Sequence, residues 1–338
     1  MNLKKSGFRY GILSLLVIFS VFASGCVSSG SGPETGNGVL ITDFKPEFQK
    51  VYSGEPVNFM LRVKNIGSEK ATYSKVCVVG LGNEWVENKN LRDKTCTDCF
   101  NFVTGEGFEL LPPTENVEGE EKVCVWHYTA PTTVPNGMKI PYTAIGRIYY
   151  YYQSTTVKSI TILPQDEMRR IEQTGGVLPA ETTVFSRSPV QITIQNDGPI
   201  RYWQTDDSGG SVTFPLAIKI DNVEAGFGLM SGDGMAEHHV NPQDSPTDVQ
   251  DRYYNRVKAR ITFPGDSNVE LIDCDDFKDG KSVVIDLWEG KTALINCKLK
   301  FKNIGDISYP VQKMIQVDAW YGYLIEQSAS IEVIGKPV

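Results

Sequence analysis

The side chains best suited to chemistry in this 338-residue sequence are its seven cysteines. Cys96 and Cys99 form a Cys-x-x-Cys pair in a polar stretch, flanked by Cys77 and Cys124 in the near-identical contexts Lys75-Val-Cys-Val and Lys122-Val-Cys-Val. Four thiolates grouped in this way suit zinc, but the outer two lack the second Cys-x-x-Cys spacing of a tetrahedral site. Redox exchange needs the motif at a helix start in a βαβ setting, and the sequence offers none. Disulfides are the remaining use of paired cysteines in an exported chain. Three pairings of these four are possible. Stapling the loop to both strands, as Cys77 to Cys96 with Cys99 to Cys124 or the crossed version, is favoured over Cys77 to Cys124 with a local Cys96 to Cys99 bridge. Cys274 and Cys297, in Leu-Ile-Asp-Cys and Leu-Ile-Asn-Cys, are expected to pair with each other. Closing a loop of that size adds roughly 3 kcal/mol.

A second group of candidates lies between Ser231 and Asp251, where Asp233, Glu237, His238, His239, Asp244, Asp248 and Asp251 occur with no Lys or Arg. Adjacent histidines on an extended segment point to opposite faces, and the carboxylate spacing matches no twelve-residue calcium loop. A solvated acidic loop is therefore expected and no metal is assigned, with Asp233, Glu237 and His238 kept as possible binding residues. The runs Tyr149 to Tyr152 and Trp320 to Tyr323 alternate faces along a strand, so one face of each is core. The other, carrying Tyr150 and Tyr152 or Tyr149 and Tyr151, is a possible surface for stacking on a sugar or meeting a protein. His127, beside Trp126, reads as a strand residue at a sheet edge. There is no Gly-x-Ser-x-Gly elbow, phosphate loop, dinucleotide fingerprint or His-Glu-x-x-His, so no catalytic residue or cofactor is assigned and the chain reads as a non-enzyme.

The N-terminus decides where such a chain works. Lys4, Lys5 and Arg9 precede an apolar run from Gly11 to Ala23, too short for a comfortable membrane span and suited to a signal-peptide core. The run ends in Ala23-Ser-Gly-Cys26. This resembles the lipobox of bacterial and archaeal lipoproteins, with Ala23 where that family usually has Leu, and the resemblance implies a lipid on Cys26. Residues 26–38 are Gly- and Ser-rich and read as a flexible tether. Loss of the presequence removes three bases, leaving 30 against 41 acids and a net charge of −11. Nucleic acid is disfavoured as a partner, and attachment to an anionic lipid surface must come from the lipid rather than from charge.

Beyond residue 38 the pattern is strand and turn. Val57 to Val63, Lys75 to Val79, Lys122 to Trp126, Tyr142 to Tyr152 and Thr156 to Leu163 are separated by turn residues at sandwich-like spacing. Pro164 to Gln173, with early acids, later bases and Gly175-Gly176 after it, predicts a short helix. Asp248 to Ala259 is a second helical candidate, left undecided because Ala259 to Phe263 is strand-like. The sequence also repeats. Val51-Tyr-Ser-Gly-Glu-Pro-Val leads to Leu61-Arg-Val-Lys-Asn65-Ile-Gly67, and Leu287-Trp-Glu-Gly-Lys leads to Leu299-Lys-Phe-Lys-Asn303-Ile-Gly305, with a third Asn-x-Gly at Asn196-Asp-Gly198. Tyr149, Tyr150 and Tyr152 fall on Trp320, Tyr321 and Tyr323 at a constant offset of 171, and Ser159-Ile-Thr-Ile falls on Ser330-Ile-Glu-Val at the same offset.

The Gly-Glu-Pro-Val strand followed by an Asn-x-Gly turn resembles the cell-adhesion-related (CARDB-like) Ig-like modules of archaeal and bacterial envelope proteins. That resemblance implies an all-β chain of two tandem Ig-like antiparallel sandwiches after a lipoprotein signal peptide. The expected layout is a signal peptide at 1–25, a tether at 26–38, sandwiches at 39–163 and 183–335, and a connector with a short helix at 164–182. Together with the lipobox resemblance it implies a lipid-anchored protein on the outer face of the cell membrane, structural or adhesive in role, whose partner is an envelope protein or glycan; a solute- or glycan-binding protein is the alternative. If Cys26 carries the lipid, radiolabelled fatty acid or isoprenoid is incorporated into the wild type and not into Cys26→Ser; equal incorporation in both rejects the assignment.

Overall fold

Alternating strands bury one face, and here they do so along unusually long ladders. The computed structural model describes residues 37–336, except 92, 94–95, 97–106, 197, 203–209, 225, 232–254, 275–276, 278–281 and 303–308, and gives only the backbone of 227–231. The first half contains β1 (Val39–Pro46), β2 (Lys50–Tyr52), β3 (Pro56–Asn65), β4 (Ala71–Val79), β5 (Val86–Glu87), β6 (Phe108–Leu110), β7 (Glu121–Thr129) and β8 (Lys139–Pro164). A helix, α1 (Gln165–Gln173), follows. The second half contains β9 (Thr183–Phe185), β10 (Val190–Gln195), β11 (Ile200–Tyr202), β12 (Val212–Asn222), β13 (Phe227–Ser231), β14 (Arg256–Thr262), β15 (Val269–Ile272), β16 (Ser282–Asp286), β17 (Thr292–Phe301) and β18 (Val311–Ile334). The all-β class and the short helix are both observed. In the undecided stretch, residues 256–259 belong to strand β14 and 248–254 lie outside the described residues.

Each half has a four-stranded sheet of the same order, β1-β3-β7-β5 and β10-β12-β17-β15, which is the A-B-E-D arrangement of an immunoglobulin sandwich. Opposite them lies one shared sheet, β16-β14-β18-β8-β4-β6. In a free-standing Ig domain, strands F and G form a hairpin beside C. Here F does not turn back. β8 begins beside β4, with Val76 opposite Ile148, and runs straight on until Ile162 lies in the second half. β18 does the reverse: it begins beside β14, with Ile261 opposite Val317, and ends in the first half with Ile331 and Val333. The two pair antiparallel over all 24 residues of β18, with Tyr151 opposite Gly322 at the centre of an approximate twofold axis. Strand G of each half is thus supplied by the other half, an intramolecular form of domain swapping. Parallel pairs complete the exchange, β2 on the end of β18 (Val51 opposite Val333) and β11 on the end of β8 (Ile200 opposite Ile162).

The repeat matched in the sequence is only partly the structural one. The offset of 171 correctly superposes β8 on β18. The opening match does not hold, because Leu61 to Asn65 lies on β3, second in its sheet, while Leu299 lies on β17, third in its sheet. The counterpart of β3 is β12, so Asn65 corresponds to Asn222; Asn303 to Gly305 lie outside the described residues.

The core follows from the exchange. Even-numbered residues of β8 and odd-numbered residues of β18 face the small sheets, and Ile148, Tyr150, Ile160, Ile162, Val317, Tyr321, Tyr323 and Val333 are buried in one continuous cluster spanning both halves. α1 packs Met168 and Ile171 against Leu163, so the connector is docked. The disulfides tie strand E to the segment after strand D in each half, as Cys96 to Cys124 and Cys274 to Cys297. Cys77 is also disulfide-bonded. Because Ile162 and Ile331 each fill the half opposite to their own repeat, Ile162→Ala and Ile331→Ala should each lower the stability of the whole unit by about 2–5 kcal/mol. Scanning calorimetry is expected to show one transition that either substitution shifts. Two transitions, with only one of them moved, contradict the exchange.

Candidate functional site

Four tyrosines meet where the two halves join. Tyr150 lies opposite Tyr323 and Tyr152 opposite Tyr321 on the central ladder. Their rings form a closed quartet of edge-on and tilted contacts, with centroids 5.8 Å apart for Tyr150 and Tyr152, 5.9 Å for Tyr150 and Tyr323, 6.5 Å for Tyr152 and Tyr321, and 6.2 Å for Tyr321 and Tyr323. Such contacts add to area burial through the ring quadrupoles.

Each hydroxyl fastens the entry of a strand. Tyr150 accepts from Val39 N (3.3 Å) at the start of β1, and Tyr321 accepts from Val190 N (3.2 Å) at the start of β10. Tyr321 also shares a 2.7 Å hydrogen bond with Ser154 Oγ, which in turn donates to Val190 O (2.6 Å). Tyr152 accepts from Glu69 N (3.1 Å); its counterpart Tyr323 accepts from Gly226 N (3.1 Å) and donates to Asn222 Oδ1 (2.8 Å). These approaches require glycine nearby: a Cβ on Gly67 would lie 2.0 Å from the Tyr152 hydroxyl, and one on Gly226 would lie 2.2 Å from the Tyr323 ring.

The asparagines complete the arrangement. Asn65 Nδ2 donates to Glu69 O (2.8 Å) and Leu110 O (2.9 Å), while Asn222 Nδ2 donates to Gly226 O (3.4 Å) and Gly290 O (3.1 Å). Sequence reasoning missed Asn222 because it is followed by Val223-Glu224 instead of x-Gly. The tyrosine contacts, not the motif, reveal the equivalence.

This placement corrects the reading of Tyr150 and Tyr152 as possible binding residues. Both are buried, with ring and hydroxyl committed inside the chain, so neither presents a stacking surface. Tyr149, on the other face, is buried as well. His127 is on β7, which has β3 on one side and β5 on the other, so it is not at a sheet edge; its Nδ1 lies 2.6 Å from Asn58 Oδ1. Cys26, Cys99, Asp233, Glu237 and His238 lie outside the described residues. Among the described residues, no group of His, Cys, Asp or Glu is arranged to hold a metal ion.

The main polar constellation is on the outer face of the shared sheet. Asp318 is buried and accepts from Thr155 Oγ1 (2.9 Å), from Gln316 Nε2 (2.9 and 3.0 Å) and from Arg260 Nη2 (3.4 Å). The Arg260 guanidinium lies over the Trp320 ring, 5.0 Å from its centroid. Burial, and after it the charge of Asp318, holds the Glu69 carboxyl above its ordinary value. With all these donors committed to it, Asp318 ties strands F and C of the second half together; at the twofold-related place Arg147 pairs with Glu326.

No protein-family profile matches the chain, and no curated protein does. Solved structures give distant likenesses. The secreted serine protease VesC of Vibrio cholerae is 9% identical over 84% of this chain, with a TM-score of 0.20. This chain spans about half of that protein, 50% of its length. The CupB6 tip adhesin of Pseudomonas aeruginosa is 7% identical, covering 90% of this chain and 97% of its own, with a TM-score of 0.14. The MSCRAMM ACE of Enterococcus faecalis, which binds its ligands by the collagen hug, is 7% identical over 88% of this chain and 96% of its own, also with a TM-score of 0.14. The likeness to a protease runs against the classification as a non-enzyme, and that classification does not stand. Scores this low carry no activity across, and no residue role is taken from any of the three.

Burial pushes the phenols of Tyr150, Tyr152, Tyr321 and Tyr323 well above their ordinary value. A group whose folded-state pKa is raised contributes stability that is present below its unfolded value, near pH 10 for tyrosine, and lost as pH climbs beyond it. Melting temperature is therefore expected to fall steeply above about pH 10, with the phenolate absorbance of these four appearing together with unfolding. Tyr321→Phe, which leaves Val190 N without its partner, is expected to cost roughly 1–2 kcal/mol in denaturant titration.

Proposed function

We propose that the chain is a cell-surface protein, held to the outer face of the membrane by a lipid on Cys26, with a structural or adhesive role in the envelope. The observation that carries this reading is the interlocked pair of sandwiches. Each half is closed by a strand of the other, and each contains a disulfide between strand E and the segment after strand D. Disulfides of this kind persist in oxidising, extracytoplasmic surroundings. Among the described residues no helix is long and apolar enough to cross a membrane, which leaves attachment to the N-terminal segment in this reading. A fold whose halves cannot separate without breaking a long ladder suits a protein that must hold a fixed geometry outside the cell. The partner is read as an envelope protein or glycan.

Two measurements on intact cells test this. Membrane-impermeant biotin is expected to label the wild-type protein, and Cys26→Ser is expected to appear in the medium instead of the membrane fraction. A gene deletion should then weaken attachment of cells to one another or to a surface, with restoration by the wild type and not by Cys26→Ser. Labelling only after lysis rejects the surface location, and unchanged attachment rejects the adhesive role.

A further inference from the structure

Trp288 flanks the turn between β16 and β17, bridged to Thr292 across it, with 74% of its surface exposed, the most exposed aromatic side chain among the described residues. The backbone of the turn is held by its own hydrogen bonds. Trp288 N donates to Thr292 O (2.7 Å), Lys291 N donates to Trp288 O (2.9 Å), and Glu289 and Gly290 both take positive φ (49° and 69°). Leu287, the residue before it, is buried and pins the base of the turn. Val223, which follows the Asn222 that bonds to this turn, is exposed to 45%.

The chain enters the fold at the same corner. Asn37 N and Asn37 Nδ2 both donate to Glu224 Oε1, each at 3.0 Å. Glu224 follows Val223, and Asn222 donates through its backbone N to Lys291 O (2.7 Å) and through Nδ2 to Gly290 O (3.1 Å). The first described residue and the Trp288 turn are therefore joined through one short loop. Residues 27–36 are all that separate Cys26 from Asn37. A Gly- and Ser-rich segment of that length spans about 17 Å on average and about 35 Å when fully stretched.

The geometry points to a second membrane contact: Trp288, with Val223, seats in the interfacial layer of the bilayer to which the chain is tethered and fixes its orientation there. This rests on the proposed lipid at Cys26 and adds to it a surface that the lipid alone does not require. The indole has the chemistry for that layer, with an apolar body and one N–H donor, which is why tryptophan concentrates at membrane interfaces. One such contact is weak by itself. A short flexible tether makes it intramolecular, with an effective concentration in the mM range, so weak contact suffices.

Charge decides which side of the corner turns to the membrane. The turn of the first half that corresponds to 287–291 presents exposed Val117 among Glu115, Glu118 and Glu120, of which Glu118 pairs with Lys64, and an anionic headgroup layer repels the acids left over. The Trp288 turn carries Glu289 and Lys291 close together, with their charged atoms 4.0 Å apart, and no such excess.

The test reconstitutes the full-length chain, through its own N-terminus, into phosphatidylcholine vesicles containing lipids with a nitroxide just below the headgroup. Trp85 and Trp126 are buried, Trp320 is half-buried beneath Arg260 and Trp203 lies outside the described residues, so the signal of Trp288 is read as the difference between the wild type and Trp288→Phe. The nitroxide is expected to quench a share of wild-type emission that is lost in Trp288→Phe, while flotation with the vesicles is the same for both. Equal quenching in the two proteins, or none in the wild type, overturns the contact. Lipidation of Cys26 is read separately, from the mass of the N-terminal peptide. Should that peptide carry no lipid, the chain beginning at Val27 is attached by an N-terminal hexahistidine tag to vesicles with nickel-chelating lipid. A quenched share that again depends on Trp288 supports the interfacial contact, and its absence overturns it.

Discussion

The antiparallel ladder between β8 and β18 sets the conditions for everything else in the molecule. An Ig-type sandwich lacking strand G exposes the edge of F and the apolar interior between its sheets, and burying such surface stabilises by about 25 cal/mol per Å². Here strand G arrives from the other repeat, bringing Ile331 and Val333 into the first half and Ile160 and Ile162 into the second. Neither half has a complete core from its own sequence alone. Residues 36–338 accordingly form one compact unit, although the sequence repeats itself within them.

The tyrosine quartet follows from that ladder and the repeat together. When two copies of a Tyr-x-Tyr strand pair antiparallel about their own midpoint, Tyr150 must oppose Tyr323 and Tyr152 must oppose Tyr321, and four rings converge on one axis. Their hydroxyls then lie deep between the small sheets, where an unpaired donor or acceptor is costly. Each is satisfied by a strand entry or turn of its own repeat: Val39 and Glu69 in the first, Val190 and Gly226 in the second. Long-range register and local loop placement are coupled through the same four side chains. The buried Ser154, opposite Ala319, keeps the strand narrow where it crosses between halves and uses its hydroxyl within the same network.

Much of this was legible. The strand pattern, the helix after Pro164 and the offset of 171 between β8 and β18 are all in the sequence. The exchange was present too, in the form of a missing turn. Gln153-Ser-Thr155 separates two apolar runs but contains no Gly, Pro, Asn or Asp, so nothing there supports the positive φ that a tight hairpin needs. Polar residues in that position suggested two strands, whereas Ser154 is buried and the strand is continuous. The equivalence of Asn65 and Asn222 was hidden for a different reason. What the two share is an amide bridging a turn to the neighbouring strand loop, and the glycine that makes the first turn visible as Asn-x-Gly is displaced to Gly226 in the second. Exposure of Trp288 was not readable, because Leu287-Trp288 alternates as either face of a strand end would. Burial of Tyr150 and Tyr152 depended on which side the small sheets cover, and periodicity alone does not assign a side.

Interlocking also bears on how a tethered protein presents a surface. Two sandwiches on a plain linker adopt a range of relative orientations, and a recognition patch on the outer one loses its direction relative to the anchor. Here the covalent connector is not the mechanical connection. α1 is held down by Met168 and Ile171 on Leu163, and two long strands cross between halves in opposite directions. Bending at the seam must break backbone hydrogen bonds of the shared sheet and the tyrosine contacts together. Since Asn37 enters at that same seam, both halves lie in fixed positions with respect to the point at which the described chain begins. On the reading proposed above, the direction set at the membrane by the entry corner is therefore carried without a hinge to the far ends of both sandwiches, where the ladder terminates in β2 and β11.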